Sequence, residues 1–169
     1  MCRLGEHRVR LGGCVKGAGM ISPSMATMLC FITTDANMPT DNLRKAVLEC
    51  VEESFNRITI DGDMSTNDTV IVLANGASGM PAIRRNGKRC RQFRQALRWL
   101  MLELAKAVVR DGERVTKFVT VNVTRARSGT FGWGQAVMGI GSGVHFGASE
   151  PRHDGAAIPE TPALAPVRP

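Results

Sequence analysis

Strand-like and helix-like stretches alternate between His7 and about Arg127, and this alternation constrains the fold more than any other feature. Short apolar or β-branched runs predict strands at residues 7–11, 25–34, 57–60, 69–74 and 116–123. Gly12 and Gly13 are expected to end the first strand, and the nearly continuous apolar run 25–34 predicts a strand buried on both faces.

Two amphipathic stretches predict helices between these strands. The first follows Pro39, with Thr40 as the expected N-cap, and its apolar positions recur every four residues: Leu43, Val47, Val51 and Phe55. The second carries a longer stripe and is expected to end near Gly112: Phe93, Leu97, Leu100, Leu104 and Val108. The order β-β-α-β-β-α-β predicts an α/β (α+β layered) fold with helices packed on a sheet.

The pattern is lost after Arg127, which divides the chain into a folded region, 1–127, and a tail, 128–169. Residues 128–150 include seven glycines, and residues 151–169 hold five of the eight prolines. Neither stretch has enough periodic apolar residues to offset the entropy of ordering, so we expect the tail to be disordered.

Several classes of function are disfavoured by composition. No apolar run approaches the roughly 18 residues of a membrane-spanning helix, and the first 20 residues hold no signal-peptide stretch. The five cysteines form no CxxC pair, which indicates reduced thiols in a cytoplasmic protein without a metal site. The glycines form no nucleotide-binding motif, and Asp61-Gly62-Asp63 departs from a calcium loop, so no cofactor is expected.

The net charge of +7 comes from one segment. Seven basic residues follow one another without an intervening acid: Arg84, Arg85, Lys88, Arg89, Arg91, Arg94 and Arg98. We interpret residues 84–88 as a solvated loop and Arg91, Arg94 and Arg98 as the outer face of the second helix. The alternative is a basic module that binds phosphate or RNA through Arg84–Arg98, but few aromatic residues accompany the charges.

A loop of small residues precedes the strand at 25–34, and Thr27 lies where that strand begins. A threonine there is commonly ordinary β-branched strand sequence. It could instead be a hidden N-terminal nucleophile: if the Ala26–Thr27 bond were cut, Thr27 would own both a hydroxyl and an α-amine. Such an amine titrates near pH 7.7–8.0 and can act as general base for its own hydroxyl.

Several motifs in the same order resemble the ornithine acetyltransferase family, the bifunctional glutamate N-acetyltransferases of ArgJ type. The resemblance covers about residues 7–127 and rests on KGAGMISPSMATML at 16–29, SFNRITIDGD at 54–63, STNDT at 65–69, LAK at 104–106, VRDGE at 109–113 and TKFV at 116–119. It implies a DmpA/ArgJ-like sandwich of sheets and helices, of which this chain would hold the end of the α chain and the first half of the β chain.

The resemblance also implies the roles of individual residues. Ala26–Thr27 would be the autocatalytic cleavage bond, and Thr27 would carry an acetyl group from N-acetylornithine to glutamate, without cofactor or metal. Lys16 and Glu113 would bind the substrate, one as the lysine of KGxGM and the other as the glutamate of RDGE. Family partners would be these small molecules, with acetyl-CoA as a further donor, in a heterotetramer of two α and two β chains.

Some family features have no match in this chain. These are the Thr-Gly pair of the oxyanion hole and the C-terminal Asn and Thr substrate contacts, while Arg114 stands where a small residue is usual. Losing one oxyanion donor costs roughly 100- to 1000-fold in rate, so we expect this chain alone to be a poor acetyltransferase. A catalytically inactive family fragment therefore remains an alternative.

Overall fold

The computed structural model describes residues 1–22, 25–26, 28–62, 67–113 and 115–121, with the backbone alone for Ser22, Met25 and Ala26. A short hairpin opens the chain, from β1 (Cys2–Leu4) and β2 (His7–Val9), and its apolar residues Leu4 and Val9 are fully buried. A second hairpin, β4 (Ile21–Ser22) with β5 (Met25–Ala26), lies just before position 27.

The central sheet has the order β3-β6-β7, with β3 (Leu11–Lys16), β6 (Leu29–Thr34) and β7 (Thr69–Ala74). β3 pairs antiparallel to β6 along six residues, and β7 pairs parallel to β6. The parallel pair needs a crossover, which α1 (Thr40–Glu52) and a 3₁₀ turn at Phe55–Arg57 supply.

The core lies between one face of this sheet and the helices. Cys30 and Ile32 of β6 belong to one buried cluster. The same cluster includes three residues of α2 (Lys88–Arg110): Phe93, Leu97 and Met101. α2 contacts β1, β3 and α1. The mixed α/β layered fold predicted from the sequence is therefore confirmed, as are β7, the apolar stripe of α2 and its end just before Gly112.

The prediction that residues 25–34 form one strand buried on both faces is wrong. The backbone forms β5 and then β6, whose residues alternate between exposed and buried. Within the described residues, helices cover only one face of the sheet. The other face exposes apolar side chains: Leu29 (41%), Phe31 (44%), Ile71 (37%) and Leu73 (60%).

The expected strand at 7–11, ended by two glycines, is also wrong. β2 stops at Val9, and β3 runs straight through Gly12 and Gly13, which pair with Thr33 and Ile32. Gly13 suits this strand because a Cβ there would come within 2.9 Å of Ile32 Cγ1 and 3.1 Å of Leu104 Cδ1. The missing side chain lets α2 approach β3.

Three further predictions need correction. Residues 57–60 form no strand: Phe55–Arg57 is a 3₁₀ turn, and Ile60 donates a single backbone bond to Ile21 O. The described part of 116–123, up to residue 121, is not a strand either.

Thr40 is the first residue of α1 and not its N-cap; Pro39 occupies that position, where no described side chain caps the helix. A proline at this point supplies the fixed backbone angle that precedes a helix.

The basic segment follows its prediction in part: Arg84 and Arg85 are exposed in a turn before α2, as expected for a solvated loop. Arg94 Nη1 lies 2.6 Å from Glu49 Oε2, and Arg98 Nε lies 2.8 Å from Glu53 Oε2, so both arginines face α1. Lys88 starts α2 instead of ending a loop. The spacing correctly predicted that Arg94 and Arg98 lie one turn apart on a helix. It could not show that they meet α1, because the glutamates that bind them are 45 residues away in sequence.

Candidate active-site cleft

An open cleft of about 740 Å³ lies between the end of β3 and the end of α2. Its lining comes from three separate parts of the chain: Val15–Met20, Asp61, and Ala107, Val108, Asp111 and Glu113. The sheet brings the first part to the cleft, because β3 ends at Lys16 and the chain then turns as Gly17-Ala18-Gly19. Lys16 and Glu113, predicted from the sequence to act together, line this one cleft.

Glu113 is held to the opposite wall by its backbone. Its N–H donates to Ala18 O over 2.7 Å, directly after α2 has ended. Gly112 permits this close approach, since a Cβ there would lie 2.7 Å from Ile60 Cδ1. A side chain at 112 would therefore crowd Ile60 and Val115, where the chain leaves α2 for Glu113.

Gly19 lies between two carboxylates. A Cβ at this position would be 3.5 Å from Asp61 Oδ2 and 3.5 Å from Glu113 Oε2. Both carboxylates thus lie within van der Waals range of the place that a side chain at position 19 would occupy. With Asp111, the cleft contains three carboxylates and the ammonium of Lys16 among its described lining residues. Such a mixture of charges suits a small zwitterionic ligand.

Asp61 fixes the loop that leads from Lys16 towards the second hairpin. Its Oδ2 accepts a hydrogen bond from Met20 N over 2.5 Å, and its Oδ1 accepts one from Ile21 N over 3.1 Å. Met20 has a φ of 52°, in the left-handed region that costs an L-residue about 1–2 kcal/mol. The two hydrogen bonds offset this cost and hold the turn in place.

Ile21 is held on its other side as well. Its carbonyl accepts from Ile60 N over 2.9 Å and from Thr59 Oγ1 over 3.0 Å, and its side chain is fully buried. Ile21 also pairs with Ala26 across the β4–β5 hairpin. The backbone of Ala26, on the amino side of the expected cleavage bond, therefore rests on a well-anchored strand.

Thr27 itself lies outside the described residues, as do the tail 128–169 and Arg114. The residue that follows it, Met28, is 4% exposed. Met28 N donates to Asp68 Oδ1 over 2.9 Å, and Met28 O accepts from Thr69 N over 2.9 Å. Both backbone groups of Met28 are thus bonded to the start of β7.

Sequence reasoning gave no role to Asp61, Asp68 or Asp111. All three belong to motifs that carry the family resemblance, and Asp61 was considered only as part of a calcium loop. One signal could have found Asp61 and Asp68: the polar loop between residues 60 and 69 has Asp61 near its start and Asp68 near its end. Acidic residues at loop ends are common acceptors for backbone N–H groups.

A smaller cavity, about 310 Å³, lies between the two long helices and involves the basic segment. Glu49 and Glu53 meet Arg94 and Arg98 there. The hydrogen bond to Glu49 raises the pKa of Arg94 above its ordinary value. Two of the arginines that the basic-module alternative required are therefore already paired with glutamates of α1, which disfavours that alternative.

The cysteines and helices add little to the functional interpretation. The five cysteines are unpaired, and Cys30, Cys50 and Cys90 are buried. Among the described residues no group of His, Cys, Asp or Glu side chains could hold a metal ion. Neither helix of the described part combines the length and the apolar character needed to cross a bilayer.

Comparison with known proteins identifies the family. The model of the ArgJ family matches residues 1–134, most of the chain. The chain belongs to the ArgJ family. It is similar to the arginine biosynthesis bifunctional protein ArgJ of Symbiobacterium thermophilum, 49% identical over 123 residues, which cover 73% of this chain and 31% of that protein. It is also similar to the glutamate N-acetyltransferase of Methanocaldococcus jannaschii, 50% identical over 71% of this chain and 29% of that protein.

A solved ArgJ structure was matched as well. The arginine biosynthesis bifunctional protein argJ from Bacillus halodurans is 41% identical, with a TM-score of 0.48 over 50% of this chain and 39% of that chain. The chain thus spans less than a third of the length of the two curated ArgJ-family relatives named above.

Proposed function

We propose that this chain carries the self-processing segment and the acetyl-accepting threonine of an ArgJ-type acetyltransferase. The observation that supports the proposal most directly is the cleft that contains both Lys16 and Glu113. The two residues are 97 positions apart in the sequence, so the fold, and not the local motif around each residue, brings them to one cleft. Membership of the ArgJ family gives the reaction class.

Processing would begin with attack of the Thr27 hydroxyl on the carbonyl carbon of Ala26. The C–N bond breaks as the acyl group moves from nitrogen to oxygen, and the threonine nitrogen takes up the hydroxyl proton. Water then hydrolyses the ester, which releases the Ala26 carboxylate and regenerates the Thr27 hydroxyl beside a new α-amine. That amine can serve as general base in later acyl transfers.

Acetyl transfer would follow in two halves. Thr27 attacks the acetyl carbonyl of N-acetylornithine, ornithine leaves with its amine protonated, and an acetyl ester remains on Thr27. The amine of glutamate then attacks the ester and takes the acetyl group. Lys16 would bind a substrate carboxylate and Glu113 a substrate ammonium, since each offers the opposite charge. The acetyl group travels on Thr27, so no cofactor is required.

The finer assignments of the family belong to the same proposal. We infer a cytoplasmic enzyme that works in arginine biosynthesis, with acetyl-CoA as a further acetyl donor. The assembly would contain two α and two β chains, divided at Ala26–Thr27.

Processing is tested by the intact mass of the purified chain. We expect two products, residues 1–26 and 27–169, from the wild-type chain and from Thr27→Ser, which keeps a hydroxyl. Thr27→Ala should stay whole. Cleavage at this bond in Thr27→Ala would remove the nucleophile assignment.

Substrate binding is tested separately, by titration of N-acetylornithine onto the chain followed by calorimetry. Lys16→Gln and Glu113→Gln should each weaken binding about 10-fold or more, as expected for loss of a charge-assisted hydrogen bond. Lys45→Gln, on the exposed side of α1, is the matched control and should bind like wild type. Equal binding by all variants would place the substrate elsewhere.

A further inference from the structure

Two aspartates, Asp61 and Asp68, contact the chain on both sides of position 27. Asp61 accepts hydrogen bonds from Met20 N and Ile21 N, and Asp68 accepts one from Met28 N. The donor and the acceptor of each hydrogen bond are 40 or 41 residues apart in the sequence. The contact made by Asp68 is closer to the expected reaction, because Met28 N belongs to the peptide bond that follows Thr27.

We propose that Asp68 is a positioning residue for Thr27, acting through the N–H of Met28. This inference rests on the proposed function of Thr27 as nucleophile. Because a peptide unit is planar, the direction of the Met28 N–H also fixes the direction of the carbonyl that precedes it and limits where the backbone can place the Cα of Thr27. The bond from Met28 N to Asp68 restrains this peptide unit, and the bond from Thr69 N to Met28 O restrains the next one.

The surroundings of Met28 support a fixed geometry. Its side chain is 4% exposed and belongs to the main apolar cluster, so the core holds the side chain while β7 holds the backbone. A hydrogen bond between an ionised carboxylate and a backbone N–H is about twice as strong as a neutral one. Asp68 supplies that bond on the side of Met28 that faces Thr27.

The position of Asp68 follows from the sheet. β7 runs parallel to β6 with Thr69 opposite Leu29, so the residue before β7 lies beside the residue before β6. Asp68 therefore reaches Met28 because of strand register. A shift of one residue in that register would move the carboxylate away from the Met28 N–H and expose the buried face of β7.

The chain provides a matched control at the other end of the same sheet. Asp35 directly follows β6, and its Oδ1 accepts a hydrogen bond from Arg10 N over 2.7 Å. Asp35 and Asp68 thus use the same chemistry at opposite ends of β6. Loss of Asp35 should reduce stability in a comparable way without touching the peptide bond next to Thr27.

The experiment measures self-cleavage and stability in the full chain for Asp68→Ala, Asp68→Asn and Asp35→Ala. We expect Asp68→Ala to slow cleavage by about 10- to 100-fold, the loss typical of a reacting group that is displaced by an ångström or less. Asp68→Asn keeps an oxygen acceptor for Met28 N and should recover most of the rate. Asp35→Ala should cleave like wild type at equal or lower stability.

The exchange rate of the Met28 amide proton, followed by nuclear magnetic resonance in each variant, gives a readout independent of cleavage. We expect slow exchange in wild type and Asp68→Asn and fast exchange in Asp68→Ala. An unchanged Met28 amide in Asp68→Ala would overturn the proposal, as would wild-type cleavage in that variant. A wild-type chain that never cleaves would refute the proposed processing, and the exchange rates would then decide alone whether Asp68 holds Met28.

Discussion

Arg94 of the second helix and Glu49 of the first form a hydrogen-bonded ion pair, with 2.6 Å between Nη1 and Oε2. Arg98 and Glu53 repeat the arrangement one turn later, at 2.8 Å. The same seam includes the Cys50 thiol, which donates to Arg94 O over 3.6 Å. The basic segment therefore contributes to joining the two helices, so reversal of its charges should lower the stability of the fold.

Reversal of Arg94 and Arg98 to glutamate should destabilise the chain. Each half-exposed pair contributes about 0.2–1 kcal/mol, and reversal replaces attraction by repulsion, so we expect a loss of about 1–2 kcal/mol in the free energy of unfolding. Urea denaturation measures it. The quadruple variant that also carries Glu49→Arg and Glu53→Arg should regain most of the loss. Reversal of Arg84 and Arg85, which are exposed before α2, is the control and should cost little. Equal stability of both double variants would contradict this interpretation.

Gly13 and Gly12 provide a matched pair of alanine substitutions within β3. A Cβ at Gly13 would meet Ile32 Cγ1 at 2.9 Å, whereas a Cβ at Gly12 has no described atom within 4 Å. Gly13→Ala should therefore cost about 1–3 kcal/mol through overpacking. Gly12→Ala should be neutral or slightly stabilising, since alanine suits a strand better than glycine does. Thermal unfolding of the two variants checks the difference, and similar melting temperatures would contradict the close packing of α2 on β3.

The two products of cleavage should stay together. β3 lies before the bond and β6 after it, and the two strands pair along six residues of the central sheet. Leu4, Val9 and Ile21 of the first product are also fully buried in the common core. Gel filtration of the cleaved chain should give one peak that contains both products, which separate only in denaturant. Early release of residues 1–26 under native conditions would show that the β3–β6 pairing is weak.

Buried thiols should make stability fall at alkaline pH. Burial raises the pKa of Cys50 to about 12 and that of Cys30 to about 11, from an ordinary value of 9.0. Both thiols are still largely protonated in the folded chain at pH 10, where the unfolded chain has released most of those protons. The free energy of unfolding should therefore decline as the pH rises above 9, and the decline attributable to Cys50 should end near pH 12. Cys50→Ala should show a shallower decline in pH-dependent urea denaturation; an identical slope would contradict the assignment.

Local sequence patterns predicted the helices and strands whose conformation depends mainly on neighbouring residues in the sequence. The stripe from Phe93 to Val108 defines α2 because its period matches a helix, and the β-branched run 69–74 defines β7. Burial of a strand on one or both faces is decided by what packs on it, so the sequence of β6 alone could not reveal that Phe31 is exposed.

The site shows the same division. The resemblance led to Lys16 and Glu113, which the fold brings into one cleft. The partners of Asp61 and Asp68 could not be predicted, because they are backbone N–H groups, which every residue but proline possesses. For Asp68, the register of β6 and β7 determines which N–H the carboxylate meets.

One face of the central sheet is open within the described residues, and it should influence how this chain associates in solution. Leu29, Phe31, Ile71 and Leu73 form an apolar surface on two adjacent strands, and self-association buries such a surface as readily as a partner does. Association depends on concentration and involves two or more molecules, whereas unfolding of a single chain does not. Dilution should therefore do more than added ligand to keep this chain monomeric, and apparent melting temperatures should be compared only at equal protein concentration.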